Sequence, residues 1–290
     1  MSSKYEFIDG EKANYALHSM CRWLGVSRSG FYEWLGRPAS ATARRRFWLA
    51  VQVRKAFKAG RGTYGYRRVQ AALAKLGIGV GSDLVRHLMT RLGLVACQPR
   101  PWRTTTEGGV GPTPADQLVG DFSATEPSQR LVGDITYIRT WEGWLYLATV
   151  IDLYTKEVIG WSTADHMRTS LICEAVTKAH THRDINGAVF HSDRGAQYTS
   201  IEFYDHLTNY KMTGSMGRTG VCWDNALAES FFASLKKELV YRTVFSTRNK
   251  ARDAIAEYIE IFYNRQRLHS GIDYQTPLEV FTTYNTSFAA

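Results

Sequence analysis

The sequence is poor in cysteine, and the four cysteines that it has are scattered. Cys21, Cys97, Cys173 and Cys222 form no CxxC pair, which argues against a zinc site or a disulfide framework and is typical of reduced intracellular thiols. Long apolar runs are also missing, because none approaches the ~18 residues that a membrane-spanning helix needs. The N-terminus has no charged-then-apolar signal pattern. We therefore expect a soluble, intracellular protein with no membrane partner.

Acidic residues are scarce in the first third of the chain. Residues 1–103 hold 19 Lys and Arg against 5 Asp and Glu, whereas the remaining residues hold 17 basic against 22 acidic. Clustered basic side chains neutralise phosphates and release counterions, so a polyanion partner is indicated. A surface tuned only for solubility is the alternative.

Two helix-turn-helix pairs are predicted in this basic third. In the first, at residues 15–35, Gly25 ends one helix and Ser27 is a candidate N-cap for the next. An ordinary helical hairpin is the alternative. The second pair, at residues 61–98, has apolar stripes through Val69, Ala72, Leu73 and Leu76 and then Leu84, Val85, Leu88, Met89 and Leu92. The candidate DNA contacts are Arg28, Ser29, Arg44, Arg45, Arg46, Arg67, Arg68 and Arg86.

Prolines are few, and four of the seven lie at positions 99–114. Such a stretch is typical of a linker. The predicted organisation is a helix-turn-helix module at 1–60, a second at 61–98, a linker at 99–128, a catalytic core at 129–245 and a C-terminal helical extension at 246–290.

Strand patterns begin after the linker. The runs LVGDITYIRT, WLYLATVIDL and EVIGWSTADH predict an antiparallel meander. A helix at 168–180, a strand at 187–191, a helix at 200–209, a short strand at 211–215 and a further helix follow. This order matches a ribonuclease-H-like α/β fold.

Three acids in this region are candidate metal ligands. Asp134 lies within the first strand, Asp193 follows the fourth, and Glu229 lies on the last helix, with 35 residues between the second and third acid. A helical projection places Glu229 and Lys236 on the outer face of that helix, with Leu227, Phe231 and Leu235 facing inward. The acids could converge on divalent cations at one end of the sheet. Asp152 is the alternative to Asp134.

Such a site suits phosphoryl transfer on DNA. Two cations held by carboxylates can activate the nucleophile and stabilise the leaving oxygen, and an oxygen-only ligand set favours Mg²⁺, with Mn²⁺ able to substitute. Lys236 could hold a phosphate beside the cut. Further along, the polar run of Asn264, Arg265, Arg267 and His269 could contact either DNA or a second subunit.

The stretches GDITYI, GWLYLATVIDLYTKEVIGW, HSDRGAQYTS, CWDNALAESFFASLKKEL and YNRQRLHSGIDYQTPLEVF, in this order, closely resemble insertion-sequence transposases of the IS-three family, specifically the downstream-frame product, OrfB. LGVSRSGFYEW and TYGYRRVQAALAKLGI are similar to the two N-terminal helical modules of that family. The resemblance therefore extends over nearly the whole chain, and it implies that the ribonuclease-H-like core is of the integrase type.

The resemblance implies an activity and a set of partners. The catalytic acids of the family fall on Asp134, Asp193 and Glu229, and its basic residue falls on Lys236. It implies metal-dependent DNA cleavage that leaves a 3′-hydroxyl, followed by strand transfer through a circular copy of the element. It also implies a homo-oligomer on paired inverted-repeat ends and target DNA, an upstream-frame protein as a possible partner, and the bacterial cytoplasm, at the nucleoid, as the location.

Two alternative functions stand beside a transposase. A DNA-binding regulator of the element, with an inactive core, would need the same basic modules. A ribonuclease or resolvase could use the same core, although two DNA-binding modules argue against it.

Overall fold

The protein is described by a computed structural model that covers residues 2–97, 124–216 and 226–288. It divides into two compact units, Met1–Gln52 and Val53–Ala290, and each is described by itself. The predicted linker at 99–128 lies outside the described residues as far as residue 123. The domain boundaries predicted from the sequence therefore stay predictions.

The first unit contains three short helices and the beginning of a longer one. Their bounds are α1, Ser2–Glu11; α2, Leu17–Trp23; α3, Arg28–Gly36; and α4, Ala41–Ala59. A small core of Ile8, Met20, Cys21 and Phe31 holds the first three together. Helix α1 was not predicted, because Ile8 is its one fully buried apolar side chain and a single buried position gives no apolar stripe.

The turn between α2 and α3 follows the prediction. Gly25 has a φ of 62°, a left-handed conformation that glycine adopts without a steric penalty. The Ser27 hydroxyl then accepts a hydrogen bond of 3.0 Å from the Gly30 amide and so caps α3. The predicted pair of helices around a tight turn is confirmed.

A second helical pair follows α4 in the second unit. Helix α5, Tyr66–Lys75, and α6, Ser82–Arg91, pack against each other. The expectation for Leu76 was wrong, because this residue lies past the end of α5 and is 70% exposed. The chain turns away there through Gly77, which has a φ of 73°. The buried side chains are Val69, Leu73, Val85, Leu88 and Met89.

A five-stranded sheet forms the centre of the second unit. Its strands are β1, Arg130–Thr140; β2, Gly143–Asp152; β3, Val158–Ala164; β4, Val189–Ser192; and β5, Thr213–Met216. Their spatial order is β3-β2-β1-β4-β5, with β1, β2 and β3 antiparallel and β4 and β5 parallel to β1. The predicted meander followed by parallel strands is confirmed.

One face of the sheet is covered by α7, Thr169–His182, and α8, Ile201–Asn209. Alternate strand residues such as Leu131, Ala148 and Val150 enter this core. Helix α7 approaches β3 very closely, because a Cβ built on Gly160 would lie 2.3 Å from a backbone oxygen of α7. Only glycine fits there.

The remaining helices follow the sheet. Helices α9, Ala226–Glu238, and α10, Arg248–Glu257, contact β1 and β2, and α11, Pro277–Phe288, ends the described chain. A π-helical turn, Tyr258–Tyr263, continues α10. In α9 the inward-facing Phe231 and Leu235 are buried as predicted, together with Ala228 and Phe232, whereas Leu227 is only half-buried.

Candidate active site

Two of the candidate acids lie side by side because of the strand register. Strand β1 pairs in parallel with β4, and Val132 is aligned with His191. Asp134 and Asp193 each lie two residues beyond this last aligned pair, and the backbones of neighbouring paired strands run about 4.8 Å apart. Asp193 directly follows the last residue of β4, at the carboxyl end of a parallel strand, where ligand sites of α/β sheets gather.

Helix α9 brings the third acid to the same place. Glu229 lies exposed in its first turn. The pKa of Asp134 is raised to about 7. Burial is the largest cause, the Ile135 amide and Lys236 lower the pKa, and the nearby carboxylates of Asp193 and Glu229 raise it. All three predicted acids and Lys236 are therefore close enough to interact electrostatically.

Backbone amides orient two of these carboxylates. One oxygen of Asp134 accepts a hydrogen bond of 2.7 Å from the Ile135 amide, and one oxygen of Asp193 accepts a bond of 3.0 Å from the Gly195 amide. Bonds to the charged form of a carboxylate favour ionisation. At Asp134 the bond from the Ile135 amide lowers the pKa and so opposes part of the increase that burial and the neighbouring carboxylates cause.

Tyr198 interacts electrostatically with two of the acids and was not singled out from the sequence. It is buried against Phe190 and Phe203, in the core that also contains Leu131. Burial, with smaller contributions from Asp134 and Asp193, raises the pKa of its phenol well above the usual range. A neutral phenol in an apolar core therefore lies within electrostatic range of both aspartates.

Asp152, the alternative to Asp134, serves the turn after β2. In the antiparallel register it stands opposite Leu131, so it points to the other face of the sheet from Asp134. Its carboxylate accepts hydrogen bonds from the Thr155 hydroxyl at 2.7 Å and from the amides of Tyr154 and Ser128. A carboxylate with so many local donors stabilises the turn.

The three acids do not form a preorganised metal site. Across the parts of the chain that the structure describes, no three His, Cys, Asp or Glu side chains are grouped closely enough to hold a metal ion. The donors are nevertheless of the right type, because three carboxylates and no sulfur or imidazole suit a hard divalent cation. A cation would also relieve the repulsion that contributes to the raised pKa of Asp134.

The predicted DNA contacts fall into two groups. Most are exposed, and Arg86 forms a surface ion pair of 3.6 Å with Asp83. Arg68 is placed differently, because it is largely buried and donates a hydrogen bond of 3.0 Å to the Leu268 carbonyl. It joins the second helical pair to the C-terminal segment. The exposed members are Arg28, Ser29, Arg44, Arg45, Arg46, Arg67 and Arg86.

The polar run in the C-terminal segment is mostly internal. Asn264 is buried and bonds both the amide and the carbonyl of Val158. Arg267 and His269 are buried as well, and only Arg265 is exposed. The expectation that this run contacts DNA or a second subunit was therefore wrong for three of the four residues. The partners of Asn264 and Arg267 lie 106 and 29 residues away in the sequence, so no local pattern signals the burial of these two side chains.

Membrane insertion finds no support in the described helices. Within residues 2–97, 124–216 and 226–288, none is both long and apolar enough to cross a bilayer.

Known protein families match most of the chain. Residues 124–222 match an integrase core domain family, and residues 210–277 match a second family with the same description. Residues 44–102 match a family described as an HTH-like domain. The predicted integrase-type α/β core behind a helix-turn-helix region is confirmed.

Individual relatives are similar over nearly their whole length. Transposase InsF for insertion sequence IS3A of Escherichia coli (strain K12) is 39% identical over 271 residues, 92% of this chain and 94% of that protein. A 31 kDa protein of insertion element IS600 from Shigella sonnei is 40% identical over 89% of this chain and 96% of its own. The HTLV-2 integrase catalytic core domain in complex with magnesium has a TM-score of 0.41 at 17% identity, over 54% of this chain and 98% of that chain.

Proposed function

The chain belongs to the IS3 family of insertion-sequence transposases, and we propose that it cuts and joins DNA with Asp134, Asp193 and Glu229. The observation that carries this assignment is their convergence. The β1–β4 register places each aspartate two residues beyond the last aligned pair, and Glu229 on α9 acts electrostatically on the same Asp134. The family makes transposition the activity, and the convergence of these acids supports the choice of residues.

The proposed cofactor is a pair of Mg²⁺ ions, for which Mn²⁺ should substitute. The three carboxylates would hold them, since an oxygen-only donor set suits hard cations. When bound, such ions supply activation of the attacking oxygen and neutralisation of the leaving oxygen.

The side chains around the acids have defined tasks in this proposal. Asp134 has a pKa of about 7, so it must lose its proton before it can serve as a ligand. Lys236, which is half-buried and interacts with Asp134, would hold the phosphate next to the cleaved bond. The Ile135 and Gly195 amides fix the orientation of the two aspartates. The product of cleavage is a 3′-hydroxyl, which then attacks the target strand.

DNA would be brought to these acids by the basic first third. The exposed Arg28, Arg67 and Arg86, with the run Arg44, Arg45 and Arg46 on α4, are the proposed contacts to the inverted-repeat ends and target. Transposition requires that both inverted-repeat ends are bound at the same time. We therefore propose a homo-oligomer on DNA, with an upstream-frame protein as a possible further partner.

The proposal is tested with purified full chain, Mg²⁺ and labelled duplexes of the element ends, with and without the upstream-frame protein. Wild type should nick the ends and join them to target DNA. Asp193→Asn and Glu229→Gln should lower both rates on the order of 10³-fold or more, while mobility-shift binding of the ends stays within about twofold, because exposed basic residues elsewhere supply phosphate binding.

Asp205→Asn is the matched control. It removes an exposed acid from α8 and should leave nicking and joining unchanged. Retained joining by either active-site variant would contradict the assignment of the acids. A wild-type protein that shifts the ends but never nicks them, even with the upstream-frame protein, would favour the regulator.

A further inference from the structure

A cleft of about 460 Å³ lies next to the proposed catalytic acids. The β1–β2 hairpin forms one wall, and Lys236 with the segment after α9 forms the other. Tyr137 stands only three residues beyond Asp134 on β1, a distance of about 10 Å along an extended strand. Lys236 lines the cleft and also interacts electrostatically with Asp134, so the cleft borders the proposed point of cleavage.

Aromatic side chains dominate the hairpin wall. Tyr137 is 56% exposed, Trp144 is 44% exposed and Trp141 at the tip is 78% exposed. The rings of Tyr137 and Trp144 meet edge to face, with centroids 5.0 Å apart and planes at 79°. Such a pair is held in place before anything binds, so little side-chain freedom is lost on binding.

Positive charge accompanies these rings. The Lys236 ammonium lies 5.4 Å from the centre of the Tyr137 ring, and the exposed Arg139 also lines the cleft. The nearby acid Glu142, at the hairpin tip, accepts a hydrogen bond of 2.8 Å from the Arg248 amide, which disperses part of its charge. Aromatic faces beside cationic groups are the combination that binds single-stranded nucleic acid.

The physical chemistry favours an unpaired nucleotide over a duplex. Bases within a duplex are already stacked on their neighbours, so their faces are not available to side chains. An unpaired base offers its face at no such cost. The volume of the cleft, about 460 Å³, falls within the roughly 300–1,000 Å³ of sites that bind one small molecule. The cleft is therefore too small for a double helix.

We propose that this cleft binds an unpaired nucleotide at the DNA end, with its base stacked on the face of one of the two rings, Tyr137 or Trp144, and meeting the edge of the other, and with its phosphate contacted by Lys236. The inference rests on the proposed function, since it places the DNA end at the acids. In this role the hairpin holds the separated end of the duplex beside the cleavage point. Tyr137 and Trp144 are then binding residues for the frayed end.

The test measures binding without chemistry, in full-length chain carrying Asp193→Asn. The probes are a blunt duplex of the element end and the same duplex with two unpaired nucleotides on the 5′ or the 3′ strand, one of them 2-aminopurine. At least one extended probe should bind about tenfold more tightly than the blunt one, with quenched fluorescence, because one stacked base contributes a factor of that order. Tyr137→Leu and Trp144→Leu should remove both the preference and the quenching.

Three further variants separate stacking from misfolding. Tyr137→Phe keeps a ring and should keep the preference, whereas Trp141→Ala, at a highly exposed position, should reduce it without changing the thermal midpoint. Tyr204→Leu removes an aromatic residue that is 69% exposed on α8 and should change nothing. Equal binding of blunt and extended probes, or an unchanged preference in Tyr137→Leu and Trp144→Leu, would overturn the inference. Equal loss on both probes would indicate a duplex contact instead.

The outcome is independent of the cleavage assay. Catalysis is disabled in this background, so a missing preference would leave the assignment of the acids untouched. Failure of nicking by the wild type would likewise leave the stacking result as it stands.

Discussion

The two glutamates of α9 lie at opposite ends of one helix and in opposite electrostatic surroundings. Glu229 in the first turn is exposed and faces two other acids, with Lys236 as the nearby cation. Glu238 in the last turn has a side chain only 6% exposed and pairs with Arg267, whose side chain is 4% exposed. One end of the helix therefore carries uncompensated negative charge, and the other carries a neutralised pair.

The pairing of Glu238 is complete. Arg267 donates two hydrogen bonds of 2.8 Å, one to each carboxylate oxygen, and the Tyr258 hydroxyl donates a third at 2.9 Å. Arg267 also reaches the Ser234 hydroxyl one turn earlier on α9. Buried charges persist when they are paired and bonded in this way.

The same end of α9 is joined to the second helical pair. The Tyr64 hydroxyl accepts a bond of 2.9 Å from the Leu268 amide, and Arg68 donates to the Leu268 carbonyl. Residues 61–98 and the C-terminal segment thus meet at Leu268, the residue after Arg267. We infer that the buried Glu238–Arg267 pair holds α9 in place. Glu229 therefore stays close to like charges whose repulsion would otherwise move it away.

The largest effect on stability is expected from breaking the buried pair. Arg267→Met leaves Glu238 buried without its cation, which should lower the free energy of unfolding by about 3–5 kcal/mol and the thermal midpoint by roughly 10 °C. Differential scanning calorimetry measures the change. Arg265→Met, at an exposed position two residues earlier, is the control and should shift the midpoint very little.

A double variant sharpens this test. Glu238→Met combined with Arg267→Met removes both charges and should recover a large part of the lost stability, because a well-packed apolar pair can replace a buried ion pair. A double variant as unstable as the sum of the two single variants would show that Arg267 acts through packing alone.

A smaller change in the opposite direction, a gain in stability, is expected when Asp134, one of the proposed catalytic acids, is replaced. The pKa of Asp134 is raised from 3.8 to about 7 in the folded chain, so the folded state holds its proton more tightly and stability falls as pH rises between these values. Asp134→Asn cannot ionise. Its thermal midpoint should therefore exceed that of the wild type by several degrees at pH 8 and match it near pH 3, where the aspartate is mostly protonated in both the folded and the unfolded chain. A lower midpoint at pH 8 would contradict the account.

The smallest effect is expected at Lys236, which lies in the last turn of α9 and interacts with the proposed catalytic Asp134. Lys236→Gln should reduce cleavage about tenfold, since one charge-assisted phosphate contact is lost. It should also shift the acidic limb of the pH–rate profile to higher pH, because Lys236 lowers the pKa of Asp134 and its loss would raise that pKa. Lys237→Gln is the neighbouring control, and an unchanged profile in Lys236→Gln would argue against this role.

The comparison also shows what could be predicted from the sequence. The strand meander, the position of Asp134 and the helix with Glu229 follow from local patterns, since strand alternation and helical spacing are properties of neighbouring residues. The long motifs then tied the three acids to a family. The convergence of the acids is a consequence of the parallel register between β1 and β4, which the strand order implies.

The structural end of α9 could not be predicted in the same way. Arg267 and Glu238 are 29 residues apart, and charged residues are rarely buried, so the run around Arg267 was interpreted as a surface for DNA or a second subunit. Arg68 was assigned to DNA for the same reason, although it bonds Leu268, 200 residues away. Burial of charge depends on tertiary partners, and a single sequence does not identify them.

The central claim is that Asp134, Asp193 and Glu229 together bind divalent cations, and calorimetric titration with Mn²⁺ tests it most directly. At pH 7 the wild-type chain should bind the ion saturably and release protons, detected by repeating the titration in buffers of different ionisation enthalpy, because Asp134 is about half protonated there. The variant with Asp134→Asn, Asp193→Asn and Glu229→Gln should show neither binding nor proton release. Equal binding by the wild type and this triple variant would contradict the account.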